Sequence, residues 1–180
     1  MGSVSEVTAA HEGPTSGFTA SALAVIPDGP SCGITVISNG RATTAVYAGS
    51  IPRAVHDDQY LRGEGPGLEA TRTGRAIVVE DLATEKRWDG FPAAALASGV
   101  HGVFAHPLEI NGNMTGALNL YAHEPNLFPP PVQRVALQFV EPATLLLRGV
   151  IHRLGQDEVI SQLNEAIESR SVIGEATRSA

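Results

Sequence analysis

The stretch HGVFAHPLEINGNMTGALNLYA, residues 101–122, decides the fold. Asn111-Gly112-Asn113 is a turn signal between two runs rich in alternating apolar residues. The segment therefore reads as a β-hairpin with strands His101 to Ile110 and Met114 to Ala122. Successive side chains on a strand point to opposite faces of the sheet. One face collects Phe104, His106, Leu108, Leu118 and Leu120, a mostly apolar set that should pack against helices. The other collects Val103, Ala105, Ala117, Asn119 and Tyr121, which are small or half polar. Such a face leaves room beside a few hydrogen-bonding groups, as a ligand cavity requires.

Working outward towards the N-terminus, Ile77-Val78-Val79-Glu80 is a short buried strand. Asp81 is placed to cap a helix after it, and Pro92 opens another that Gly99 closes. Residues 50–75 read as helix and loop, with a turn at Gly63, Gly65, Pro66 and Gly67 before a short helix from Leu68 to Arg72 that Gly74 closes. A first hairpin precedes them: Ile34 to Ile37 and Ala42 to Tyr47 flank Asn39-Gly40, the pair that accepts positive φ in a tight type I′ turn. Residues 1–17 are polar and aperiodic and read as a flexible segment. Phe18 to Ile26 suggests one or two helical turns, stopped by Pro27-Asp28-Gly29-Pro30.

On the C-terminal side, Val132, Val135, Ala136, Phe139, Val140, Ala143, Leu146, Leu147, Val150, Ile151 and Leu154 repeat in steps that make one wide apolar stripe on a helix. Pro142 is expected to kink that long helix. Beyond Gly155, Val159, Leu163, Ala166, Arg170 and Ile173 follow steps of four and three, a spacing compatible with a short coiled coil. The element order is strand–strand, helix, strand, helix, strand–strand, long helix. It predicts an α+β domain whose antiparallel sheet lies between helical layers.

Composition narrows the function. In 180 residues, 43% are hydrophobic and 17% charged, so one domain with a real core is expected. A formal charge of −7 with twelve scattered Lys and Arg argues against unaided binding to nucleic-acid backbones. A single cysteine, Cys32, excludes an internal disulfide, a Cys-rich zinc site and a CxxC redox pair. No run approaches the roughly 18 apolar residues of a membrane span, and the first residues lack a signal-peptide pattern. A cytoplasmic location without membrane contact is the resulting expectation.

From Gln59 to Phe128 the sequence resembles a GAF domain of the actinobacterial kind found in antitermination regulators. The match is carried by Leu61-Arg62-Gly63-Glu64-Gly65-Pro66-Gly67-Leu68-Glu69-Ala70, by Thr73-Gly74-Arg75, by Asp81-Leu82 with Arg87-Trp88 and Phe91, by Pro107-Leu108, and by Gly116 to Tyr121. The resemblance implies a PAS-related fold, with a GAF domain over residues 18–154. Residues 155–180 would be a linker helix entering a second module: Gln162 to Ala176 is similar to the start of an ANTAR domain, which binds RNA hairpins. The later helices of that module are missing from this sequence. RNA would thus be engaged only through a complete ANTAR domain.

The resemblance places a ligand pocket on the sheet face opposite the terminal helices. Val103, Ala105, Asn119 and Tyr121 would line it, and Trp88 and Phe91 would roof it; the competing reading is that all six pack a core. Phe139, Leu146, Val150, Val159 and Leu163 are candidates for a dimer and signalling helix. His106 reads as a buried, hydrogen-bonded neutral imidazole or as a pH-responsive group. His56-Asp57-Asp58 reads as a solvated helix surface and not as a metal site, because adjacent residues project in different directions. No nucleophile–base pair, paired acids or metal ligand set emerges, so neither catalysis nor a metal is expected, and no cofactor is identified. The function expected is a homodimeric, non-catalytic sensory domain for a small ligand or partner. The alternatives are a purely structural dimerisation module and a small enzyme.

Overall fold

Asn39 and Gly40 both take positive φ, 50° and 75°, in the tight turn that joins β1 (Ser31–Ser38) to β2 (Arg41–Ala48). The computed structural model describes residues 31–49, 51, 54–112 and 114–154. The readings made for residues 1–30, for the coiled-coil spacing and for the ANTAR-like segment lie outside the described residues. The second hairpin pairs β4 (Gly102–Asn111) with β5 (Met114–Ala122), and β3 (Ile77–Val79) adds to its outer edge. β1 pairs with β5 across a long sequence gap, setting Gly33 opposite Asn119 and Thr35 opposite Ala117. The sheet order is β2-β1-β5-β4-β3, with every neighbouring pair antiparallel.

The two faces are covered as their side chains demand. Phe104, Leu108, Leu118 and Leu120, joined by Cys32, Ile34 and Val36 of β1, pack against Ala136, Ala143, Leu147 and Ile151 of the C-terminal helices. Val103, Ala105 and Tyr121 face the other way, into a cluster with Val55, Ala70, Trp88, Phe91 and Ala95. That second layer is built from α1 (Ala54–Arg62), α2 (Pro66–Thr73) and α3 (Phe91–Ala97). Pro66 sits in the first turn of α2, where its missing N–H costs nothing, and Gly74 closes the helix at φ 66°.

The C-terminal stripe forms two helices where one kinked helix was expected: α4 (Pro130–Leu137) and α5 (Val140–Leu154). Proline cannot donate to the carbonyl four residues back, and its ring crowds that carbonyl. The chain therefore breaks at Gln138 and Phe139 and restarts, so that Pro142 falls in the first turn of α5, where no such bond is needed. A second correction concerns Asp81. Its Oδ1 accepts from the Ala83 N–H at 2.9 Å, but turns follow and no helix forms before Phe91. The pairing is a local side-chain turn, the alternative that Asp offers to a helix start.

α3 receives its cap from elsewhere in the chain. Glu64, between α1 and α2, accepts from the N–H groups of Gly90 at 2.8 Å, Phe91 at 3.2 Å and Asp89 at 3.3 Å. A carboxylate at a helix N-terminus satisfies free donors and meets the positive end of the dipole.

Candidate ligand site

The sheet face under α1 and α2 holds a buried polar cluster. His56, Gln59, Asn119 and Tyr121 are each no more than 1% exposed. Gln59 Oε1 accepts from the Gly67 N–H at 3.0 Å, which fixes the amide orientation and leaves Nε2 to donate to Tyr121 Oη at 2.9 Å. The Tyr121 hydroxyl then has its own hydrogen for His56 Nδ1, 3.4 Å away. His56 is held edge-on between Tyr47 and Tyr121, with ring centroids 5.5 and 4.9 Å apart. Burial pushes the Tyr121 phenol well above its ordinary pKa, so it remains a neutral donor.

Glycines permit this close packing. A Cβ at Gly33 would fall on the His56 imidazole, and one at Gly67 would fall on Asn119 Oδ1. Asn119 Nδ2 donates to Thr35 Oγ1 at 2.9 Å and to the Ala117 carbonyl at 3.3 Å. Thr35 Oγ1 lies 3.0 Å from Tyr60 Oη, which also meets Thr44 Oγ1 at 2.9 Å. Among the described residues, the buried Asn119 Oδ1 has no hydrogen-bond partner. A fully buried carbonyl oxygen left so costs about 1–3 kcal/mol, which is why such groups are rare in folded chains.

The six residues expected at a pocket all lie on this side of the sheet and are all buried, with Trp88 at 7% the most exposed. Five of them, Trp88, Phe91, Val103, Ala105 and Tyr121, share one apolar cluster, while Asn119 belongs to the polar group beside it. Trp88 packs edge-on against Phe91 at 5.9 Å and donates from Nε1 to Glu69 Oε2 at 3.0 Å. The Arg87 guanidinium lies 4.8 Å from the Trp88 ring centre and is held there by Glu85 and the Val78 carbonyl.

Sequence reasoning missed His56, Gln59, Thr35 and Tyr60. His56 is not on a solvated surface but wholly buried, while Asp57 and Asp58 beside it are half-buried. Val55, His56 and Gln59 form the inner side of α1, and because two of the three are polar, the helix has no clear apolar stripe. The signal that could have found them is spacing: His56 and Gln59 lie three apart, one turn, beside Val55.

His106 is half-buried, and its Nδ1 lies 2.9 Å from the Pro107 carbonyl oxygen. Cys32 is buried on the opposite face, and burial pushes its thiol up to about 12. Among the described residues no group of three His, Cys, Asp or Glu could hold a metal ion, and no helix is long and apolar enough to cross a membrane. Of the dimer candidates, Leu146 and Val150 are half-buried on α5 and Phe139 is half-buried in the turn before it, whereas Val159 and Leu163 lie outside the described residues. The exposed large apolar side chains there are Leu137, at 43%, and Leu145, at 57%.

A family model described as GAF domain matches residues 9–148, and the chain belongs to the GAF domain family. No curated protein sequence matches. Solved structures share the fold. GAF3 of Slr1393 from Synechocystis, in its photoproduct state, is similar at a TM-score of 0.60 and 8% identity, covering 78% of this chain and 96% of that one. A domain of a two-component sensor histidine kinase protein from Sinorhizobium meliloti is similar at 0.55 and 14%, covering 78% and 92%. A type II free methionine-R-sulfoxide reductase from Thermoplasma acidophilum reaches 0.57 and 12%, covering 74% and 91%. Identities this low establish the shared fold alone, a fold that carries both sensors and enzymes.

Proposed function

We propose that this GAF domain is a non-catalytic sensory module that binds a small ligand on the α1–α2 side of its sheet, forms a homodimer, and signals through its C-terminal helix to an ANTAR output. The observation that carries the reading is Asn119 Oδ1, a wholly buried acceptor that has no partner among the described residues. Such an atom is explained by a polar group that is supplied when a ligand or water enters. α5 covers the reverse face of the same sheet, so a change in sheet geometry changes the surface on which α5 packs. Leu145, beside the half-buried Leu146 and Val150, gives that helix an outward apolar side for a second copy.

A thiol enzyme like the sulfoxide reductases is disfavoured. The chain has one cysteine, and burial keeps it protonated. Native mass spectrometry of the 180-residue chain, alongside sedimentation equilibrium, tests the proposal. It predicts a dimer that carries a small-molecule mass lost on denaturation. A monomer at high concentration, with no added mass and no response to any metabolite pool, contradicts it.

A further inference from the structure

A groove of about 570 Å³ opens beside the buried polar cluster, lined by Ile37, Arg41, Tyr60, Leu68, Arg72 and Thr115 among others. Its walls come from separate parts of the chain: the tip of the β1–β2 hairpin, the start of β5, the end of α1 and the last turn of α2. We infer that this groove binds a small organic carboxylate with an apolar body, its head held between Arg41 and Arg72. The inference rests on the sensory reading and gives it a ligand class and an entry point.

Three observations carry it. First, the chain holds −7 net charge, yet two of its twelve cationic side chains line this groove, and neither makes an ion pair or hydrogen bond among the described residues. Both side chains are exposed, and with no acceptor to displace, their guanidinium groups can offer paired N–H donors to a carboxylate. Second, Ile37, Ala42 and Leu68 give the groove an apolar wall, while Thr115 lines it too and the hydroxyls of Tyr60 and Thr71 are engaged with Thr35, Thr44 and the Leu68 carbonyl. A bare inorganic anion would leave that wall wet; an apolar chain or ring would cover it, and the volume suits a small molecule. Third, the groove touches the interior through Tyr60. Its hydroxyl meets Thr35 Oγ1, which accepts from Asn119 Nδ2. A ligand that displaces Tyr60 therefore acts on the residue whose Oδ1 has no partner.

The groove is distinct from the space under Trp88 and Phe91, since none of the six pocket residues expected from the sequence lines it. Trp88, the one tryptophan of the chain, reports on the other region.

The test is a titration of the 180-residue chain with hexanoate, phenylacetate, hexanol and inorganic phosphate. It is followed by backbone amide shifts and by Trp88 fluorescence. The inference predicts saturable shifts at Gly40, Arg41, Arg72 and Thr115 with the two carboxylates, weaker binding of hexanol and phosphate, and little change at Trp88. Arg41→Gln and Arg72→Gln should each raise the Kd about tenfold, and Arg72→Lys should recover part of the loss. Amide spectra of the variants that stay dispersed show that they still fold. No saturable shift with either carboxylate overturns the inference. So do shifts centred on Trp88 and Phe91, phosphate binding as tight as hexanoate, or affinity unchanged in both glutamine variants. Groove binding that leaves the amides of α5 unmoved supports the site and sinks the sensory reading. A response of α5 to some other ligand, with the groove silent, does the reverse.

Discussion

Arg148 of α5 donates from Nε to the Ile110 carbonyl at 2.7 Å, clamping the terminal helix to the end of the β4–β5 hairpin. Its Nη2 takes the Glu109 carbonyl at 2.7 Å as well. These carbonyls fall where the β4–β5 register shifts, between Glu109 and Asn111. An irregularity of this kind leaves backbone groups outside the ladder, and the guanidinium fork supplies the missing donors. Glu109 is also the ladder partner of Thr115, which lines the groove on the opposite side. One hairpin end thus contacts both the groove and the helix.

Replacing Arg148 by Ala removes both bonds at once. Because the site is partly solvated, the loss should be modest, about 1–2 kcal/mol in urea unfolding. Hydrogen exchange should quicken first at Glu109 to Met114. Arg148→Lys, which lacks the planar fork, should recover less than half of the stability.

Gln59 bridges α2 to the sheet through the Gly67 N–H and the Tyr121 hydroxyl. Gln59→Leu leaves the Gly67 N–H without its acceptor and takes one of two partners from the Tyr121 hydroxyl, and should destabilise by about 2 kcal/mol. Tyr121→Phe should cost clearly less in that background than in the wild type, since its shorter hydrogen bond has already gone. Additive losses in a double-mutant cycle would show that the bridge carries no coupling energy.

That bridge also marks the limit of sequence reading. The hairpins, the turn at Asn39-Gly40 and the division of β4 and β5 into two faces all follow from period-two patterning and turn chemistry. The buried side of α1 did not, because His56 and Gln59 are polar and their burial depends on Gly33 and Gly67 lying opposite in space. The groove residues Arg41, Arg72 and Thr115 belong to three elements whose proximity is set by the β1–β5 pairing. No local spacing records it. The break ahead of Pro142 was half legible: proline announced a disturbance, but where the helix restarted was decided by packing.

Glu64 ties stability to acid. Hydrogen bonds from the Gly90, Phe91 and Asp89 N–H groups, with Arg62 nearby, hold its carboxyl below the usual glutamate value. A carboxylate whose pKa is lowered by folding stabilises the fold at pH values above its unfolded pKa, and the contribution is lost as pH falls through the folded one. Glu64→Gln should therefore lower the unfolding midpoint at neutral pH and flatten its decline in acid. Equal slopes for the two proteins would contradict the cap.

Cys32 should be inert in the native chain. With its thiol pushed up to about 12 by burial, it should react with a thiol reagent at neutral pH only as fast as the domain unfolds. Rapid labelling of folded protein would reopen the thiol-enzyme reading.

The coupling of groove to helix is tested most directly by following the backbone amides of Arg72, Thr115, Arg148 and Ile151 together while hexanoate is added to the 180-residue chain. If the sheet transmits binding to α5, all four move with one midpoint, and Arg148→Ala silences Ile151 while leaving Arg72 and Thr115 responsive. Saturation at Arg72 and Thr115 with Arg148 and Ile151 unmoved would contradict it.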